Sequence, residues 1–153
     1  MRPIAILLVS SISIAACAPR DDPERAALRT RLTQGSQLSQ EEIGRVFEQV
    51  GEGLQGRTVR VSRGGTMPSD LGAAEREFVL GMLRDRAGVF DEGLRTGGGR
   101  RARVFNAPAV SNNPEIEATQ RLFVDVETFL PLRFEYASAF PSPDDYSVDL
   151  VVN

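Results

Sequence analysis

Apolar residues recur along this chain in two rhythms. Up to about residue 85 they fall three and four apart, the spacing of one helical face, and beyond residue 120 they fall on alternate positions, as in strands with one buried face. The strongest local signal is in the first regime. Ser39 and Glu42 have capping-box spacing, Leu38 and Ile43 occupy the staple positions around them, and Ile43, Val46, Phe47, Val50 and Leu54 follow on one face. This predicts a core helix, ended by Gly51, Gly53 and Gly56. An earlier helix opens at Asp22, the N-cap, with Pro23 in the first position, and is expected to run to Gln34 with Gly35 as its stop. Its apolar stripe of Ala26, Ala27, Leu28 and Leu32 is thin, so it reads as a stalk. A third helix is expected after Ser69, carrying Leu71, Ala74, Phe78, Met82 and Leu83 and limited by Gly88.

Residues 57–63 read as a strand with Val59 and Val61 on one side, and residues 101–106 as another. The alternating sets Leu122/Val124/Val126, Leu132/Phe134/Tyr136 and Tyr146/Val148/Leu150/Val152 then predict an antiparallel meander, with turns at residues 127–131 and 141–145. Asp91-Glu92-Gly93, Thr96 to Gly99 and Asn112-Asn113-Pro114 read as turns and loops. The expected fold is α+β: two or three N-terminal helices packed on a mainly antiparallel sheet of about five strands, in one domain over residues 22–153.

The first sixteen residues differ from the rest. Met1-Arg2-Pro3 gives a positive start, and Ile4 to Ile14 forms an apolar run too short to span a bilayer core, which takes about 20 residues. The run ends in Ile14-Ala15-Ala16-Cys17, a branched aliphatic residue and two small ones before the cysteine. These residues resemble the lipobox of bacterial lipoprotein precursors. The resemblance implies that residues 1–16 are a signal peptide, that Cys17 carries the lipid and becomes the new N-terminus, and that residues 17–21 form a short tether. Ala16-Cys17-Ala18 also fits an ordinary secretory cleavage site, but cleavage there leaves Pro19 just after the scissile bond. A third possibility makes Cys17 a small buried hydrophobe. Cys17 is the one cysteine of the sequence, so the domain has no internal disulfide. Ala18 stands where an aspartate resembles an inner-membrane retention signal, which favours the outer membrane, facing periplasm or cell surface.

Composition narrows the chemistry. All 18 basic residues are arginine and there is no histidine, which removes histidine-dependent triads and His-based zinc sites. Loss of residues 1–16 takes away Arg2 alone, leaving 17 basic against 21 acidic residues and a net charge of −4, unlike the basic footprint of nucleic-acid binding. No cofactor and no metal site is expected. The acidic pairs Asp21-Asp22, Glu41-Glu42, Asp91-Glu92 and Asp144-Asp145 read as solvated or capping acids rather than as a catalytic pair.

Two segments offer binding chemistry. Gly97-Gly98-Gly99 followed by Arg100, Arg101 and Arg103 reads either as a flexible loop with solvated arginines or as an anion-binding loop, for an envelope polymer or lipid headgroup. Phe129 and Leu130 fall in a predicted turn, where they either pack back over the sheet or are candidate contacts for a partner. The stretch from Val124 to Glu135 also resembles the strand, turn and strand of the lipoprotein-localisation carriers, half-barrels that shelter acyl chains under a curved sheet. Helices dominate the first half here, and about five strands are few for such a half-barrel. The sequence thus points to a membrane-anchored envelope lipoprotein with a non-enzymatic binding or structural role, its partners being the membrane through Cys17 and an envelope protein or polymer. A hydrophobic-ligand carrier is the alternative and a carboxylate-dependent hydrolase a more distant one.

Overall fold

The capping box at Ser39 is made in full: Ser39 Oγ accepts from Glu42 N–H at 3.2 Å, and Ser39 N–H donates to Glu42 Oε2 at 2.7 Å. It opens a helix over Gln40–Leu54 in a computed structural model that describes residues 22–64, 81–82, 88–97, 99–109, 115, 117–140 and 145–153. Ahead of it, Asp22 caps a helix over Pro23–Leu32 by accepting from Glu24 N–H at 3.2 Å. We call these helices α1 (Pro23–Leu32) and α2 (Gln40–Leu54). Helix α1 stops two residues before Gln34, and it is no stalk: Leu28 and Leu32 are buried in the main core. Two leucines four apart suffice because they share one face of the helix. Cys17, Ser69, Leu71, Ala74, Phe78, Leu83, residues 110–114 and residues 141–144 lie outside the described residues. Gly81 and Met82 are helical, and Met82 is buried in the core.

Six strands form one antiparallel sheet among the described residues: β1 (Val59–Gly64), β2 (Phe90–Gly97), β3 (Arg100–Ala109), β4 (Ala118–Asp125), β5 (Pro131–Ser138) and β6 (Tyr146–Val152), in the spatial order β1-β6-β5-β4-β3-β2. The fold is α+β. Five strands follow one another as a meander, and β1 closes the far edge by pairing with β6, Val59 opposite Val152. The chain therefore passes from one edge of the sheet to the other between β1 and β2.

Strand β2 was the element hidden in the sequence, in residues that read as turn and loop. Asp91, Gly93, Thr96 and Gly97 favour strands poorly, and the segment is held extended by its ladder to β3. Gly93, at φ +96°, sits where the register slips between Asp91 and Gly93, a bulge that an L side chain resists. A second slip, between Phe123 and Val124, sets Val124 opposite Pro131 and Phe123 opposite Arg133. Leu132 consequently leaves the face of Phe134 and Tyr136 and packs with Ala102, Val104 and Phe123 on the other side of the sheet.

The helices cover one face. Phe47 of α2 meets Phe105 of β3 edge to face, with centroids 5.1 Å apart at 77°, amid buried Leu32, Val46, Val50, Leu122, Val124 and Phe134. Full burial of each such apolar side chain favours folding by about 1.5–3 kcal/mol.

One charged pair is sunk into this core. Arg103 has no exposed surface, and its guanidinium meets the equally buried carboxylate of Asp91 on β2. Arg103 Nε donates to Asp91 Oδ1 at 2.7 Å and Nη2 donates to Asp91 Oδ2. The remaining donors hold the connection between the helices: Nη1 to the carbonyls of Leu32 at 3.2 Å and Gln34 at 2.6 Å, Nη2 to that of Ser36 at 2.8 Å. All five N–H groups of the side chain are used. Asp91 in turn accepts from Leu38 N–H and Gly93 N–H, each at 2.8 Å. Removing one member of a buried ion pair leaves the other charge uncompensated, at a cost of about 3–5 kcal/mol. Arg103→Ala is expected to lower the urea midpoint by a destabilisation of that size, with Arg101→Ala, on the exposed part of β3, changing stability by no more than about 0.5 kcal/mol.

Burial by itself raises the Asp91 carboxyl. Hydrogen bonds from Arg103, Leu38 and Gly93, with the charge of Arg103, outweigh it and hold the native carboxyl below its ordinary value. Glu42 is also lowered, first by the hydrogen bond from Ser39 N–H and then by Arg31, against partial burial. A carboxyl depressed in the native state contributes stability that is complete above its unfolded pKa, about 4, and is lost as pH falls through the native value. Thermal melts are expected to show Tm falling on acidification below about pH 5, less steeply in Glu42→Gln.

Candidate functional site

The three arginines that the sequence groups after the glycines do not converge. Gly97 pairs directly with Arg100, so the β2–β3 hairpin reverses tightly between them, with Gly99 at φ +77°. Arg103 faces the helices and has no donor left for an exogenous anion, which corrects its reading as an anion ligand. Arg100 points to the opposite face, where its Nη1 donates to the buried carboxylate of Asp125 at 2.8 Å. Arg101 is exposed, and its carbonyl accepts from Val126 N–H at 3.2 Å. Alternation along a strand explains the split, since residues one apart point to opposite sides.

Of the two readings of Phe129, the structure takes packing against the domain and not an exposed partner contact. Phe129 is fully buried, at φ +61°, an unusual conformation for a bulky residue that costs on the order of 1–3 kcal/mol. The surrounding turn fixes it there. Asp125 Oδ1 accepts from the N–H groups of Glu127 at 2.8 Å and Thr128 at 3.3 Å, and the Asp125 carbonyl accepts from Phe129 N–H at 2.9 Å. Leu130 is half-buried against α2: a Cβ added at Gly53 would lie 3.0 Å from Leu130 Cδ2, so glycine there permits the close approach.

Helix α1 is seated on this turn by two arginines. Arg29 Nε donates to the Glu127 carbonyl at 3.0 Å, Arg25 Nη2 donates to that of Thr128 at 3.3 Å, and the Arg25 guanidinium stands 5.0 Å from the centroid of the Phe129 ring. Beside Arg25, a cavity of about 330 Å³ opens between the helices. The N-cap Asp22 and Glu24 and Arg25 of α1 line it on one side, and Arg45, Glu48 and Gln49 of α2 on the other, over an apolar contribution from Leu28. Arg31 and Glu42, also in its wall, bridge the two helices at 2.7 Å.

One side-chain atom each of Arg25 and Gln49, Nε and Oε1, is buried without a partner and has almost no surface open to the cavity. A desolvated polar group left unpaired costs about 1–3 kcal/mol. Among the described residues no carboxylate pairs with Arg25, and neither Asp22 nor Glu24 pairs with an arginine. Only helical spacing was legible beforehand: it sets Arg25 three and Glu24 four residues from Leu28, so that both flank it on α1.

The outward face of the sheet carries a polar ladder. Arg121 Nε lies 2.9 Å from Glu92 Oε2, Arg121 Nη1 3.9 Å from Glu135 Oε2, Arg133 Nη1 3.7 Å from Glu135 Oε1, and Arg133 Nε 3.0 Å from Asp149 Oδ1. Signs alternate across four strands, and each partly exposed charge is largely compensated by its neighbours.

No family model, no curated protein and no solved structure matches this chain. Its chemistry is therefore read from these residues alone. Phe129→Ala is expected to destabilise the domain by about 3–5 kcal/mol in urea unfolding, as for a buried core aromatic; a residue that served mainly as an external contact would leave the midpoint nearly unchanged.

Proposed function

We propose that the chain is a lipoprotein of the bacterial envelope, anchored by lipid on Cys17, with a domain that has a non-enzymatic binding or structural role. The observation that carries the reading is the complete lipobox Ile14-Ala15-Ala16-Cys17, placed five residues ahead of the N-cap of the first helix, Asp22. At most about 18 Å of chain then separates anchor and domain. Two acyl chains at one residue give stable attachment, since each buried methylene contributes about 0.8 kcal/mol.

The engagement of the acids supports a role without catalysis. Asp91 and Asp125, the buried carboxylates, are each occupied by an arginine and by backbone N–H groups. Asp91 is held in its ionised form, the opposite of what a general acid requires. The space that an acyl-chain carrier would need between helix and sheet is filled by Phe47, Phe105 and Phe134, which speaks against the carrier alternative. Polar groups of both signs on the outward face of β4 to β6 suit a protein or envelope polymer as partner.

Mass spectrometry of the mature N-terminus tests the anchor. The native protein should begin at an acyl-modified Cys17 and fractionate with membranes, whereas Cys17→Ser should accumulate as uncut or mislocalised precursor. A full-length, water-soluble native product with a free thiol would overturn the proposal.

A further inference from the structure

We infer that the end of the sheet bearing Arg57, Arg60, Arg95 and Arg101 rests on the membrane that holds the Cys17 lipid and binds its anionic headgroups. Among the described residues, the side chains of these four arginines meet no carboxylate, carbonyl or ring, and all four are exposed. The other arginines whose side chains are described are engaged. Arg25 and Arg29 hold the β4–β5 turn, Arg103 is buried on Asp91, and Arg31, Arg45 and Arg100 each meet a carboxylate. Arg121 and Arg133 belong to the ladder on the outward face.

Strand register gathers the four at one end. Arg95, opposite Ala102, and Arg101 stand at the tip of the β2–β3 hairpin, which touches the β4–β5 turn where Val126 N–H donates to the Arg101 carbonyl. Arg60, opposite Val151, and Arg57 stand at the other corner, which the backbone pair of Thr58 and Asn153 closes. The tether enters between them. Arg25 ties α1 to the Thr128 carbonyl, so the chain toward Cys17 leaves Asp22 beside the β4–β5 turn. In the order β1-β6-β5-β4-β3-β2 that turn has two strand spacings to either side, about 10 Å. A tether of at most about 18 Å then allows both corners to reach the lipid surface together.

The acids of this end lie toward the helices. Asp125 is taken by Arg100 and Glu127 by Arg29, which leaves Asp22 and Glu24 at the start of α1 and Glu52 in the last turn of α2. The sheet side is therefore the basic one, and the domain leans on it. At the far end, Glu117 before β4 and Asp145 beside Ser138 place negative charge away from the bilayer. A guanidinium forks onto phosphate oxygens, and each arginine near an anionic leaflet adds to the attraction. The choice of a membrane as partner rests on the reading of Cys17 as the anchor; the grouping of the arginines does not.

The test takes the mature protein, purified from cell membranes, into vesicles of phosphatidylcholine alone or with added phosphatidylglycerol. Each arginine is read by phenylglyoxal labelling and peptide mass spectrometry. Arg57, Arg60, Arg95 and Arg101 should label about fivefold more slowly on the anionic vesicles, with Arg121, farther up the sheet, unchanged as the reference. High salt should abolish the difference, since exposed charges are screened over about 10 Å at 0.1 M. Arg57→Gln combined with Arg101→Gln should also release Arg60 and Arg95, a coupling that a shared surface produces and separate sites do not. Flotation with phosphatidylcholine vesicles reads the anchor by itself. If flotation fails, the labelling is run on the soluble protein mixed with anionic vesicles, where slowing of the four supports the surface without the anchor and unchanged rates overturn it. Equal rates on the two kinds of vesicle, or slowing of Arg121 to the same extent, would overturn the inference. Slowing by polyglutamate with none by phosphatidylglycerol would do so as well, in favour of an acidic protein partner.

Discussion

The buried pair of Arg103 and Asp91 ties the three parts of this domain together. One guanidinium on β3 meets a carboxylate on β2 and the last carbonyls of α1, and the same carboxylate accepts the N–H that leads into α2. A buried ion pair is a poor source of net stability, since desolvation offsets most of its Coulomb energy. Its effect here is directional. Apolar packing of Leu32 and Phe47 tolerates sliding, whereas five N–H groups and two carboxylate oxygens with assigned partners define one docking of the helix hairpin on the sheet.

Arg31 completes the arrangement from the solvent side. It donates to Ser36 Oγ at 2.7 Å, the Gln37 carbonyl at 2.8 Å and Glu42 Oε1 at 2.7 Å, so the interhelical connection is gripped between two arginines. This explains how α1, with few buried residues, holds a fixed place beside α2. Arg25 and Arg29 do the same at the β4–β5 turn. The wall of the cavity is thus positioned by arginine contacts to backbone carbonyls on both sides of the helix.

What the sequence disclosed was local. The capping box at Ser39, the Pro23 start and the alternation in β4 to β6 are set by neighbours within a few residues, and they appear where the pattern puts them. Strand β2 was illegible because its Asp, Gly and Thr residues favour turns, and pairing with β3 decides their conformation. Arg103 looked like part of a basic cluster because composition does not show which face of a strand a residue takes. The place of Phe129 stayed open between core and surface because its burial depends on a left-handed backbone angle and on Arg25, about a hundred positions away. The cavity shares that difficulty: its residues come from two helices, and nothing in either spacing reveals that Arg25 has no carboxylate partner among the described residues.

The place of β1 at the edge beside β6 has a consequence for assembly. Val59 finds its partner at Val152, so a strand from the first half waits for the last segment of the sheet before either can be fully paired. Closing so long a loop is entropically costly, and topologies dominated by distant pairings fold slowly. A chain emerging N-terminus first cannot finish its sheet on the way out. Until the C-terminal strand arrives, β1 and β5 each keep an unpaired edge, which is vulnerable to aggregation if completion is delayed.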